Sequence, residues 1–477
     1  MIRGVQLALV AFAVAIVIVA VVLVIGIHSG SSTHSGTPPA PGSGCGIPPP
    51  SSSGSGLTVP PVEGNWTTYH GSDARSGYEF QQSFSTVRPS WAGPAALDGQ
   101  IYAEPLVCGP SIYVATENNS VYAINASTGA IEWRTHLGDP VMSSTLPCGD
   151  IGPVSGITGT PVIDAESDTL YVVAFEPPAD HVLYSISLGS GVVTGSTDVN
   201  PPGSTPNVEQ QRGALALLNG VVYVPYGGLF GDCGAYHGWV VGVPTSGSKA
   251  LLSYEVPTGR EGGIWGTGGI VVGPNGNLYV ATGNSEATQT FDFGDAVIEL
   301  SPSLEELDYF APTNWAELNS NDIDLGSLTP TVLPNGNLFQ VGKEGVGYLL
   351  NGTHLGGIGG AIYNASVCAG AYGGTARVGN VVIVPCTNGL TAVGVGPSSF
   401  SLDWTTSSFI AGSPIVTGSV VWAVDTSNAH LLGFDFATGN ELYSLPLSSV
   451  DHFVSPTAAP GALFVGAGDQ VYSFSLT

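Results

Sequence analysis

The chain has 477 residues and a net charge of −27, and only 9% of its residues are charged, against about 25% in an average globular protein. Nine Lys and Arg side chains in all form no basic footprint, which excludes nucleic-acid binding and makes an anionic lipid surface a poor partner for the soluble part. With so few carboxylates to titrate, little fold stability hangs on their ionisation; an acidic external medium is one reading of this, and a Gly/Ser/Thr/Asn-coated surface that reflects lineage composition is the other.

Leu7–Ile27 is the first stretch with a definite physical reading. It holds 21 residues without a charge or a strongly polar side chain. As a helix rising about 1.5 Å per residue it crosses a hydrocarbon core of about 30 Å, and it is longer than the apolar core of a cleaved signal. The nearest charge, Arg3, precedes it, so the positive-inside tendency predicts residues 1–6 in the cytoplasm and the body of the chain outside. The expectation is a single-pass signal anchor in the cell membrane, with a cleaved signal peptide as the alternative. Residues 28–62 are Ser, Gly, Thr and Pro with almost no core formers, which reads as a flexible linker.

From residue 63 the pattern changes. Ile101–Trp133 contains four short apolar runs parted by Cys-Gly-Pro, Glu-Asn-Asn and Ser-Thr-Gly, a four-stranded meander with period-2 alternation. One meander is too small to bury its own faces, and the same unit recurs. Second strands centre on Ile112-Tyr113, Leu170-Tyr171, Val222-Tyr223, Leu278-Tyr279, Leu338-Phe339, Val382-Ile383, Val421-Trp422 and Leu463-Phe464, spaced 39 to 60 residues apart. Units of this kind at this period are propeller blades. The last stops at Thr477 after its third strand. Its fourth is expected from the N-terminal side near Arg88–Ala92, with Trp91 placed as Trp133 is in the first blade, leaving no open sheet edge at the join. The predicted architecture is all-β: an eight-bladed β-propeller over residues 63–477, preceded by one N-terminal transmembrane helix.

Six cysteines outside the membrane are expected in disulfides. None forms a Cys-x-x-Cys pair. Cys368 and Cys386 flank the first two strands of the sixth blade, and Cys148 and Cys233 lie in loops of early blades that meet at one mouth. That leaves Cys45 with Cys108, although sequence alone permits 15 pairings of six cysteines. Sequons at Asn65, Asn118, Asn125, Asn351 and Asn364 suit an external surface.

The unusual residues sit in the longer loops of blades two to five: Cys148-Gly-Asp-Ile, Gly231-Asp-Cys-Gly-Ala-Tyr-His-Gly-Trp239, Gly262-Gly-Ile-Trp265 with Ala281-Thr-Gly-Asn284, and Asn321-Asp-Ile-Asp-Leu-Gly326. Loops rich in Asp, Asn and Trp on a rigid scaffold are places for a ligand or a hard cation. The alternative is that Asp and Asn turn the chain while Trp packs between blades.

Val121-Tyr-Ala-Ile-Asn-Ala-Ser-Thr-Gly129 followed by Trp133, and Leu431-Leu-Gly-Phe-Asp-Phe-Ala-Thr-Gly439, resemble the pyrroloquinoline quinone (PQQ) repeat. Such repeats occur in quinoprotein alcohol dehydrogenases and in the outer-membrane assembly lipoprotein. The order of the loop residues is similar to that of the dehydrogenases. That resemblance implies Trp265 as the floor under the quinone, Asn284 and Asp232 as ligands of calcium or a lanthanide, and Asp322 as the base that takes the alcohol proton. Asp324 then supplies the Asp-x-Asp form of lanthanide-using members, and Lys343 contacts the quinone. Apart from that resemblance, Glu104 stands out among the core residues of Ile101–Trp133 as a candidate to edge the central pocket. The chain departs from that family in three ways. Cys148 is followed by Gly149 where the family has an adjacent Cys-Cys ring. Only Arg134, Arg212 and Arg260 lie in the neighbouring blades to anchor quinone carboxylates. No Cys-x-x-Cys-His attaches a haem.

Two functions follow. The first is a non-enzymatic binding or envelope scaffold that takes a protein, glycan or envelope ligand on its loop-rich face. The second is a PQQ- and metal-dependent alcohol or sugar dehydrogenase. The dehydrogenase requires Asp232, Trp265, Asn284, Asp322 and Lys343 to converge on one axial pocket with room for a tricyclic quinone. The scaffold requires a filled or narrow centre.

Overall fold

The structure is a computed structural model that describes Cys45 and residues 64–80, 83–246 and 250–477. The expected membrane span, Leu7–Ile27, lies outside the described residues, among which no helix is long and apolar enough to cross a membrane.

Eight antiparallel sheets form the blades of a propeller. Blades one to four run Leu106–His136, Val162–Asp198, Ala216–Glu255 and Val271–Ala311. Blades five to seven run Thr331–Ser366, Ala376–Thr405 and Ile415–Pro446. Blade eight, Thr457–Leu476, is completed by Val87–Pro89, with Val87 opposite Leu476 and Pro89 opposite Phe474. This is the closure the sequence predicts, one residue earlier than expected at its start. Within each blade the middle strands are buried on both faces, as in Ser111–Thr116, while the outer strand alternates between exposed and half-buried side chains, as in Ile131–His136. The core is thus a series of sheet-to-sheet layers around an axis.

The repeated Gly and Trp join the blades. Gly129, Gly191 and Gly439 sit at φ of +74°, +69° and +70°, in the left-handed region that glycine enters without steric cost. Each lies under a Trp of the preceding blade. A Cβ on Gly129 would stand 2.7 Å from the Trp91 ring, one on Gly191 2.6 Å from Trp133, and one on Gly439 2.5 Å from Trp404. The indole N–H of each Trp donates to a carbonyl three residues before its glycine: Trp91 to Ala126 O (3.0 Å), Trp133 to Leu188 O (2.8 Å) and Trp404 to Phe436 O (2.9 Å).

The segment ahead of the ring crosses the innermost strands. Trp66 bridges to Val107 of blade one. Carbonyls of Thr67, Asp73, Ser76 and Gly77 accept from Ile163, Val272, Arg377 and Val416, in blades two, four, six and seven. The fully buried Arg75 guanidinium donates to Leu215 O (2.8 Å) and Ile270 O (3.1 Å) and also reaches Thr68 and Tyr69. His70 bonds Thr375 O (2.9 Å) and Ser455 Oγ (3.0 Å). This segment plugs the axial channel.

Three disulfides join Cys45 to Cys108, Cys148 to Cys233 and Cys368 to Cys386. The second ties the loop entering blade two to a loop of blade three.

Two measurements check this packing. Gly439→Ala is expected to cost about 2–4 kcal/mol in denaturant unfolding, from the positive φ and the Trp404 ring together. Gly189→Ala, where nothing lies within 4 Å of the new methyl, should be near neutral.

The second concerns pH. Burial pushes the Glu209 carboxyl up to about 8, against the His237 backbone N–H, and Glu117 up to about 7. A carboxyl whose folded pKa is raised stabilises fully below its unfolded pKa and loses that contribution as pH rises to the folded value. His70 and His181, held neutral by burial at about 3 and about 4, act in the opposite sense only below about 6.5. Between pH 6.5 and 8 the carboxyls therefore act alone, and the melting temperature is expected to fall. A flat or rising melting temperature over that window would show the carboxyls ionised in the fold.

Candidate functional site

The loops that enter the innermost strands and those between second and third strands meet at one end of the axis, above the plug, around a cavity of about 540 Å³. That is within the range of small-molecule sites, about 300–1,000 Å³. Blade three contributes Arg212, Leu229–Asp232 and Tyr236. Blade four contributes Trp265 and Asn284, blade five Asp322, Asp324 and Lys343, and blade six Tyr372. His452 and Phe453, before blade eight, complete the wall together with Asp150.

Asp324 is the centre of the polar wall. It is 3% exposed. Its Oδ1 accepts from the Asn284 backbone N–H (2.8 Å) and its Oδ2 from the Trp265 indole N–H (3.2 Å) and Lys343 Nζ (2.8 Å). Gly283 permits this approach, since a Cβ there would stand 3.0 Å from Trp265 Nε1 and 3.1 Å from Asp324 Oδ1. Burial raises the Asp324 pKa, and Lys343 works against that. Lys343 also holds Asp322 Oδ1 at 2.6 Å, and its Nζ lies 5.6 Å from the Trp265 ring centroid. Burial disfavours the Lys343 charge, but Asp324 and the hydrogen bonds to both carboxylates outweigh it and hold the ammonium above its usual range. Asp322 is exposed to the cavity mouth, at φ +52°. Behind Asp324, burial and the Asp324 charge push the Asp295 carboxyl well above the usual carboxylate range, and Asp295 Oδ1 accepts from Leu325 N (2.7 Å).

On the opposite side of Asn284, Asp232 Oδ1 accepts from Tyr236 OH (2.6 Å) and its carbonyl from Arg260. Glu261 meets Asn284 Nδ2 at 3.4 Å and Arg260 at 2.9 Å. Burial, with Asp232 and Asp324 nearby, pushes Glu261 up to about 7 in spite of Arg260. An aromatic wall faces this polar one. Tyr372 stacks on Phe453 (5.7 Å, 13°), and Trp265 is tilted against both.

Asp232, Trp265, Asn284, Asp322, Asp324 and Lys343 thus line one cavity. Glu104 does not. Its carboxylate accepts from His70 N (2.7 Å), Trp66 Nε1 (3.1 Å) and Ser455 Oγ (3.2 Å), so it holds the plug beneath. It borders only a void of about 10 Å³, the size of a single water site. The sequence reading missed Glu261, Tyr372 and Phe453. Phe453 carries one local signal, a positive φ of 65°, that no sequence displays. Among the described residues no three His, Cys, Asp or Glu side chains form a metal site by themselves, so a cation here would draw on the Asn284 amide as well. The donors are all oxygen, which suits a hard cation. With the Trp265 ring on the same cavity wall, under Lys343 Nζ, they are the groups that would hold a flat cofactor and its cation. No Cys-Cys ring covers it: Cys148 is bonded to Cys233, 85 residues away.

An eight-bladed propeller with an axial small-molecule cavity is the class that this fold and site define. The comparisons with known proteins agree. The family profile described as outer membrane protein assembly factor BamB matches residues 71–297. A curated protein of that name from Burkholderia pseudomallei (strain K96243) is 30% identical over 73 residues, 15% of this chain and 19% of the relative, so the match spans about a fifth of that protein. Among solved structures, the quinohemoprotein alcohol dehydrogenase ADHIIG from Pseudomonas putida HK5 superposes over 87% of this chain and 80% of its own (TM-score 0.68, 14% identity). A europium-containing methanol dehydrogenase superposes over 87% and 98% (0.65, 16%), and BamB from Moraxella catarrhalis over 82% and 98% (0.55, 12%). The chain is an eight-bladed β-propeller, similar over residues 71–297 to proteins built of PQQ-like repeats.

Lys343→Ala leaves Asp324 buried without its cation. It is expected to cost about 3 kcal/mol at pH 8, the cost of breaking a buried pair, and less as pH falls, because burial favours the protonated form of Asp324. Asp322→Asn, which alters only an exposed partner, should cost under about 1 kcal/mol. Equal losses for the two variants in denaturant unfolding would contradict this account.

Proposed function

We propose that the protein is a quinone-dependent dehydrogenase displayed outside the cytoplasm, oxidising a small hydroxylated substrate in the axial cavity. The observation that carries this reading is the convergence of six residues from three blades, Asp232, Trp265, Asn284, Asp322, Asp324 and Lys343, on one cavity large enough for a ligand. The external placement draws on the apolar Leu7–Ile27 segment and on three disulfides, which persist outside the cytoplasm.

PQQ, when bound, accepts the electrons of the substrate carbon, and calcium or a lanthanide beside it polarises the quinone carbonyl. Trp265 provides the flat floor, fixed by its N–H to Asp324. Asn284, Asp324 and Asp232 are the oxygen ligands for the cation. Asp322, exposed at the mouth beside Lys343, takes the hydroxyl proton as general base. Lys343 contributes positive charge over the Trp265 face, where negative charge develops on the reduced group. Tyr372 and Phe453 close the apolar side against water.

Reconstitution with PQQ plus calcium or lanthanum, followed by absorbance and dye reduction, tests the reading. Asp322→Asn is expected to lower turnover by about 100-fold or more while quinone binding stays within a few-fold, and Trp265→Ala to weaken quinone binding. No spectral change with either metal would remove the enzyme. The second reading, an envelope scaffold, draws on the assembly-factor profile over residues 71–297. It expects a protein partner on the cavity face, where Phe230 is 69% exposed, and capture of that partner that Asp322→Asn leaves intact and Phe230→Ser abolishes.

A further inference from the structure

Arg212 is unlike every other cation in the cavity. It is 9% exposed, and its guanidinium stacks on Phe453 (4.9 Å to the centroid) and Tyr102 (5.8 Å). The two rings cover its faces and leave the edge, where all five N–H donors lie. Its buried Nε–H has no hydrogen-bond partner, and among the described residues no carboxylate stands within ion-pair distance of it. Asp150, whose charge it feels, lies 3.7 Å from His452 Nε2, whose charged form burial disfavours. Glu117 and Asp451 act on it only at longer range, and burial pushes both of their carboxyls up towards neutrality.

The same fold shows how it treats a structural arginine. Arg75, equally buried, is met by backbone carbonyls of blades three and four and by Thr68. Lys343, in the same cavity as Arg212, is met by two carboxylates. Stacking on two rings does not offset the desolvation of a charge left without an acceptor. The backbone around Arg212 is also fixed. Gln211 donates to Gly213 O (2.6 Å), and a Cβ on Gly213 would stand 2.8 Å from Pro225 and 2.9 Å from Gly269. The guanidinium is therefore held at one place on the cavity wall, and Phe453 separates its end from the end where Lys343 covers Trp265.

We propose that Arg212 is a carboxylate-binding subsite and that the cavity takes a small organic acid bearing a hydroxyl group, a hydroxy acid or an acidic sugar. The planar fork of donors matches a carboxylate edge-on. A phosphate dianion is the worse fit, because its second charge would meet Asp150, Asp232 and Asp322 on the same walls in a chain of net charge −27. The carboxylate subsite stands on Arg212 alone. That the hydroxyl is the oxidised group rests on the dehydrogenase reading.

The experiment is calorimetric titration of the full chain, without quinone, with matched pairs that differ in the carboxylate: glycolate against ethylene glycol, and D-glucuronate against D-glucose. At least one acid is expected to bind tenfold or more tightly than its neutral partner. Arg212→Gln should lose that preference, Arg212→Lys should keep part of it, and Gly189→Ala, at an exposed turn away from the cavity, should keep all of it. Melting curves show whether each variant folds, and the Arg212→Lys arm carries the test if Arg212→Gln does not. If neither acid is preferred over its partner, or if Arg212→Gln folds and keeps the preference, the proposal falls. Titration in the presence of PQQ separates the two sources of a carboxylate. Additive binding supports a substrate subsite, and stoichiometric displacement of the acid by the quinone assigns Arg212 to the cofactor and overturns the proposal. Acid binding without any quinone binding removes the dehydrogenase reading and leaves the subsite standing.

Discussion

Closure of the ring is the constraint on which the structure depends. Eight sheets can pack around an axis only if the last meets the first, and here the chain does this by giving blade eight a strand from its own N-terminal side, Val87–Pro89 against Phe474–Leu476. The same excursion delivers Trp91 onto Gly129 of blade one, so the join uses the contact that seals Trp133 onto Gly191 and Trp404 onto Gly439. A propeller closed in this way has no free sheet edge at the seam, and its blades cannot splay without breaking that pairing.

Closure also accounts for the cavity. The segment that runs from the linker to Val87 must cross the channel to reach blade eight, and it does so by bonding inner strands of at least four blades. Its polar groups are satisfied there by Glu104, Arg75 and His70, three buried ionisable side chains that belong to the plug. The channel is thereby stopped below Phe453, and the opposite end becomes a pocket with one mouth. The disulfide between Cys148 and Cys233 braces two of the loops around that mouth. Residues far apart in the chain, such as Arg212 and Phe453, then come to share a wall.

Inside the pocket the charges are arranged by burial more than by number. Asp324 lies under Trp265 and Lys343, and Asp322 stands at the mouth on the same ammonium. The two carboxylates are two residues apart in sequence and differ widely in exposure. Behind Asp324, burial disfavours the charged form of Asp295. The pocket in this way tolerates several acidic groups within a few ångströms.

The repeat was legible in the amino-acid sequence because it is local. Period-2 alternation, the Asn-Ala-Ser-Thr-Gly129 turn and the Trp that follows each report on contacts within one blade or with its neighbour; the strand pattern recurs eight times, and the Trp-on-Gly contact at three of the joins. The loop residues were legible in part: Asp232, Trp265, Asn284, Asp322, Asp324 and Lys343 were singled out and do meet, because each lies at the same end of its own blade and the ring brings those ends together. Glu104 was placed in the same group for its chain position before blade one, yet its side chain serves the plug, since the path of residues 65–79 depends on bonds to blades two, four, six and seven at once. Arg212 carries no sequence signal that sets it apart from the other arginines. Its burial, its two stacked rings and its lack of an acceptor come from Tyr102 and Phe453, more than 100 residues away on either side. Sequence determines what each blade is, through neighbours a few bonds apart, and only the closed ring decides which charges are left unpaired at its centre, because desolvation and pairing depend on every blade that faces the axis.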